Sequence, residues 1–150
     1  VSLDQSTHLT ILGEGPERPT LESQVQNLAL GEQIRFDGFT DNPWAFYAGA
    51  DAFVMTSRWE GLPNSALESL ACGTPVVATP QSGGIAEIAS TAASGSMAIA
   101  DAGAPFITAL KGLSPKPPSP SSPRASLLPG QYQASTVATL FQNLLTRLAS

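Results

Sequence analysis

The chain has 150 residues, 42% hydrophobic and 13% charged, which is enough apolar content for a domain with a real core. Seven Lys and Arg face twelve Asp and Glu, and the formal net charge of −5 argues against a basic face that grips a nucleic-acid backbone. No apolar run reaches membrane-spanning length. The single Cys72 excludes an internal disulfide, and the single His8 argues against a Ser-His-Asp triad or a histidine-rich metal site.

Residues 1–7 are polar and carry no start signal, so the chain reads as cut from something longer. Residues 8–12 are strand-like and stop at Gly13-Glu14-Gly15-Pro16. Residues 19–30 place Leu21, Val25, Leu28 and Ala29 at helical spacing, with Gly31 expected to close the helix. A strand over 33–36 ends at Asp37-Gly38, and Phe39-Thr40 leads to a short helix that Asn42 caps and Pro43 opens. Trp44, Phe46 and Tyr47 on it are expected in the core. Residues 52–56 are apolar almost throughout, as in a strand covered on both faces.

The next stretch, Arg58-Trp59-Glu60-Gly61-Leu62-Pro63-Asn64-Ser65-Ala66-Leu67-Glu68, sets two glutamates eight positions apart. Glu60 falls in a Gly-Leu-Pro turn, and Glu68 about one turn inside the helix that follows. Gly73 suits the left-handed position past the end of that helix, and Pro75 cannot continue it. The free N–H groups at the start of such a helix attract anions, and carboxylates beside them accept hydroxyl hydrogens. A ligand carrying both phosphate and a diol fits that mixture. On their own, the two glutamates also read as solvated charges around a helix start, or as an acid/base pair for glycoside hydrolysis.

A strand over 75–79 follows, then the turn Gln81-Ser82-Gly83-Gly84 and a helix from about 85. Residues 94–99 hold a short edge strand and 105–110 a short helix. Residues 113–131, with Pro115, Pro117, Pro118, Pro120, Pro123 and Pro129, read as an irregular and mobile Pro/Ser-rich loop. The last helix, over 135–148, lines up Val137, Leu140, Phe141, Leu144, Leu145 and Leu148 on one face and is expected to pack on the domain. The expected organisation is therefore an α/β domain over 1–112, the loop over 113–131, and a terminal amphipathic helix over 132–150. Strands alternating with helices through short loops predict right-handed crossovers, a doubly wound Rossmann-like parallel sheet, and ligand-facing loops on one rim.

Six pieces in this order resemble the C-terminal, donor-binding half of the group 1 (family four) retaining glycosyltransferases of the GT-B fold. They are Leu9-Thr10-Ile11-Leu12-Gly13-Glu14-Gly15-Pro16, Ile34-Arg35-Phe36-Asp37-Gly38-Phe39, Ala50-Asp51-Ala52-Phe53-Val54-Met55-Thr56-Ser57, the stretch from Glu60 to Glu68, Ala71-Cys72-Gly73-Thr74-Pro75-Val76-Val77-Ala78, and Gly83-Gly84-Ile85-Ala86-Glu87-Ile88. The resemblance covers residues 8–90 well and the rest faintly. It implies that Glu68 holds the ribose hydroxyls of a nucleotide. Glu60, the catalytic candidate, lies beside the transferred sugar. The N–H groups of Gly61 and Leu62 would meet the sugar, those of Asn64 and Ser65 the phosphate, and Phe39 and Thr40 the base. Gly83 and Gly84 stand near the ligand on the rim. No cofactor or obligatory metal is implied beyond the nucleotide diphosphate sugar itself.

The resemblance further implies a hexosyltransferase-like enzyme of glycan biosynthesis. Its acceptor, a glycan, lipid carrier or small molecule, would be bound by an N-terminal half that this chain lacks. A cytoplasmic location is expected, with peripheral membrane association as an alternative. Two departures stand out. The family's first donor-half strand, with the Arg and Lys that clamp the diphosphate, precedes residue 1. Pro63 also replaces a position that is often glycine and removes an N–H donor. The strands at 8–12 and 52–56 must then pair directly or leave a gap. The isolated chain is expected to be inactive. The alternatives are a non-catalytic relic or binding module that kept the fold but lost the reaction and, less in keeping with the glutamate pair, a sugar-phosphate epimerase of the same architecture.

Overall fold

The computed structural model describes residues 4–113 and 123–148; residues 1–3, 149–150 and the stretch 114–122, with most of the Pro/Ser-rich residues, lie outside the described part. Residues 1–43 and 44–150 form two compact units.

In the first unit, β1 (Leu9–Leu12) runs parallel to β2 (Ile34–Gly38), connected by α1 (Arg18–Asn27). The left-handed residue that closes helix α1 comes two positions before Gly31. Ala29 takes the left-handed conformation at φ 54, its N–H donates to the Gln26 carbonyl, and the Leu30 N–H donates to the Val25 carbonyl. That paired closure normally recruits glycine. Gly31 lies beyond it. Arg18 ties the unit's loops together by bonding the carboxylates of Glu14 and Glu22 and the carbonyl of Phe36. No apolar side chain of residues 4–43 is fully buried.

The second unit holds the core. It runs α2 (Pro43–Gly49), β3 (Phe53–Met55), α3 (Asn64–Ala71), β4 (Val76–Ala78), α4 (Ile85–Thr91), β5 (Met97–Ile99), α5 (Ala104–Lys111), a 3-10 turn (Gly130–Tyr132) and α6 (Ala134–Leu148). The strands pair in parallel in the order β3-β4-β5, with Val54 opposite Val77 and Val77 opposite Ala98. Central β4 is buried throughout, and Met55, Ala66, Leu70, Val76, Ala78, Ile85 and Ile88 form one apolar cluster. Parallel strands with helical crossovers are the Rossmann-like arrangement read from the sequence.

The strands fall into two hydrogen-bonded sets, β1 with β2 and β3-β4-β5, so β1 does not pair with β3, one of the two arrangements the sequence left open. Two features differ from the sequence reading. Trp44 is half-exposed instead of buried, while Tyr47 is buried edge-on to Phe53 with ring centroids 5.4 Å apart. Helix α6 leaves Val137, Leu140, Phe141, Leu144 and Leu145 exposed, since its main neighbour among the described residues is the 3-10 turn.

The described end of the Pro/Ser-rich stretch is extended and anchored. Leu127 N–H donates to the Leu70 carbonyl at 2.7 Å, which also accepts from the Gly73 N–H at the end of α3. The Arg124 side chain, only 4% exposed, bonds the Ala50 carbonyl at 2.5 Å and Thr74 Oγ1 at 3.0 Å. Leu127, Leu128 and Tyr132 pack against the core cluster.

Candidate functional site

Two loops of the second unit leave the carboxyl ends of adjacent strands: residues 56–63 after β3 and 79–84 after β4. Their backbones meet. Gly84 N–H donates to the Gly61 carbonyl at 2.9 Å, and the buried Ser82 hydroxyl donates to the Ser57 carbonyl at 3.1 Å. A β-carbon at Gly83 would overlap the Glu60 carbonyl, and one at Gly84 would overlap that of Gly61. Gly83 also sits at φ 56, in the left-handed region. The glycine pair is therefore required by the close approach of the two loops.

An open cleft of about 530 Å³ results, lined by Arg58, Trp59, Glu60, Gly61, Gln81 and Gly83. Glu60, Gly61 and Gly83 thus share one cleft. Leu62 and Asn64 are exposed and Ser65 is half-buried. Buried Pro63 precedes α3, whose first turn has no side-chain cap; the N–H groups of Ala66 and Leu67 both turn to the Pro63 carbonyl. Helix α3 closes as its glycine suggests, with Gly73 at φ 74 and hydrogen bonds from Gly73 to Leu70 and from Thr74 to Ser69.

Glu68 is half-buried one turn inside α3 and is not part of the cleft lining. It accepts a long 3.5 Å hydrogen bond from the Tyr47 hydroxyl. Burial first, and the Glu68 carboxylate second, push the Tyr47 phenol up to about 12. The same two causes raise the Cys72 thiol, which makes it a poor nucleophile. Phe39, 76% exposed, and Thr40 belong to the first unit. Among the described residues no group of His, Cys, Asp and Glu could hold a metal ion, and no helix is long and apolar enough to cross a membrane.

Sequence reasoning singled out the glutamates and glycines but gave no role to Gln81 and left Arg58 without one. Both stand at the carboxyl ends of neighbouring strands, a position that marks the rim of a parallel sheet.

Fold and cleft together define a Rossmann-like α/β domain with an open cleft where its strands end. The profile of the glycosyl transferases group 1 family matches residues 2–103, and the chain belongs to that family. Similar proteins include the lipopolysaccharide core biosynthesis glycosyltransferases LpsD and LpsE of Rhizobium meliloti. LpsD is 37% identical over 53% of this chain, and LpsE is 43% identical over 51%. The chain covers 23% and 22% of their lengths, so it spans under a quarter of these relatives. Among solved structures, Anabaena HepE in complex with UDP has a TM-score of 0.60 at 24% identity, over 71% of this chain and 30% of that one. HepE with UDP and glucose gives 0.57 at 25% identity, over 68% and 29%.

Proposed function

We propose that this chain is the nucleotide-sugar-binding part of a retaining glycosyltransferase. The complete enzyme moves a sugar, most simply a hexose, from a nucleotide diphosphate donor to a hydroxyl of a glycan, lipid carrier or small molecule. The observation that carries this reading is the Glu60–Gly61 backbone held against Gly83–Gly84, which presents a carboxylate in an open cleft just before an uncapped helix start. Glu60 accepts hydrogen bonds from the hydroxyls of the transferred sugar, and the N–H groups of Gly61 and Leu62 face the same sugar. Asn64 and Ser65 offer theirs to the diphosphate, whose growing negative charge as it leaves is stabilised by the helix start. Glu68 accepts from the ribose diol once Tyr47, a weak and distant partner, is exchanged for it. No metal or separate cofactor takes part. The relatives' names, and the UDP present with HepE, support a nucleotide sugar as the ligand.

Catalysis also needs a cationic clamp and the greater part of an acceptor site, which these residues do not supply, so the chain alone binds without turnover. The working location is the cytoplasm, at the membrane surface where the acceptor is a lipid carrier. Calorimetric titration with uridine and guanosine diphosphates tests the reading. Saturable binding that Glu68→Ala weakens by about tenfold supports it. Absence of saturable binding by either nucleotide points instead to a relic that kept the fold and lost the ligand.

A further inference from the structure

The outer wall of the cleft carries three side chains for which the donor reading has no use: Arg58, Trp59 and Gln81. Trp59 is 89% exposed, more than any other large apolar side chain described. Leaving an indole in water forgoes the stabilisation its burial would give, and an exposed aromatic inside a cleft marks a contact surface. The next residue, Glu60, is pressed against Gly83 so closely that no β-carbon fits between them. The loop therefore cannot turn inward to bury Trp59 without breaking the contact that shapes the cleft.

Arg58 is the second anomaly. The chain has twelve carboxylates for seven cations, yet Arg58 makes no ion pair or hydrogen bond with any described residue. Arg18, Arg35 and Arg124 are all engaged. An unpaired guanidinium at a cleft wall is a ready bidentate partner for a carboxylate or phosphate. Exposed Gln81 adds an amide that can both donate to and accept from hydroxyls.

A flat apolar face, a free planar cation and an amide together suit a pyranose ring that carries an anionic group. The C–H face of such a ring lies on an indole, while its hydroxyls and anion bond around the edge. Glu60, in the same cleft, repels the anion and turns it toward Arg58. We propose that Arg58, Trp59 and Gln81 form a subsite for an anionic pyranose, the sugar that receives the transfer. The receiving role rests on the transferase reading; the subsite itself does not.

Saturation-transfer NMR on the 150-residue chain tests this with glucuronate, glucose 6-phosphate, glucose and uridine diphosphate as separate probes. The expected result is saturation of ring protons on one face of the anionic sugars, with glucose about tenfold weaker. Trp59→Ala removes the saturation. Arg58→Gln abolishes the preference over glucose while Arg58→Lys retains part of it. The tighter of the two anionic sugars identifies the charged group as carboxylate or phosphate. Saturation by uridine diphosphate without saturation by either anionic sugar overturns the subsite and leaves the donor reading standing, as does anionic-sugar binding unchanged in Trp59→Ala. Sugar binding that follows both substitutions, with no response to uridine diphosphate, upholds the subsite and removes the donor reading.

Discussion

At the scale of single residues, the site depends on positions where a side chain is missing. Gly83 combines a left-handed backbone with a contact that leaves no room for a β-carbon, whereas Gly95, at φ 80, has open space around it. Gly95→Ala should therefore cost only the left-handed penalty, about 1–2 kcal/mol. Gly83→Ala adds overpacking against the Glu60 carbonyl and should cost about 2–5 kcal/mol in all. Urea denaturation of both variants measures the difference, and equal losses would mean that the two loops part without strain. Tyr47 gives a second residue-scale prediction. Its folded pKa, about 12, lies above the ordinary value of 10 because burial, and then Glu68, disfavour the phenolate. Between those values the unfolded chain releases a proton that the folded chain keeps, so the contribution is intact below pH 10 and lost as pH rises toward 12. Tyr47→Phe should have a shallower decline of melting temperature over that alkaline range. Identical slopes would show that the phenol is not held in the protonated form.

At the scale of elements, the local signals were legible and the long-range ones were not. Strand and helix positions follow from apolar spacing, and the closure of α3 follows from Gly73, because those signals act within a few residues. The end of α1 was misplaced because Ala29 takes a conformation its side chain disfavours, so composition pointed to Gly31. The glutamate loop was legible as a site, but the reason for Gly83 and Gly84 was not, since their partner is a loop more than twenty positions away. The extended segment around Arg124 was hidden for the same reason. Proline and serine spell an irregular chain, and nothing local shows that a buried arginine will pin it across the end of α3. Gly73 takes part in that crossing, because a β-carbon there would meet Arg124 and Ala125. Arg124→Met keeps most of the buried stem and removes the donors to Ala50 and Thr74. The expected loss is about 1–3 kcal/mol, with faster proteolysis after residue 123. Wild-type stability and cleavage rate in this variant would show that the segment holds its place through Leu127 and Leu128 alone.

At the scale of the whole molecule, the divided sheet decides how stability is distributed. The six apolar β4 and helix residues of the central cluster, with Met55 of β3, all belong to the second unit. The first unit has one parallel pair of strands, one helix, and no fully buried apolar side chain among its described residues. A two-stranded sheet with one helix buries too little surface to offset its own conformational entropy by a wide margin. Its ion pairs at Arg18 are partly exposed and add little. The two units should therefore open with different free energies even though one chain encodes both. Hydrogen exchange followed by mass spectrometry should show amides of β1, α1 and β2 exchanging early, while those of β4 and α3 exchange only with global unfolding. The cleft walls at 57–61 and 81–84 are tied to the stable unit, so they should keep their protection after residues 9–38 have exchanged. Simultaneous exchange of both units, at one common free energy, would contradict this distribution.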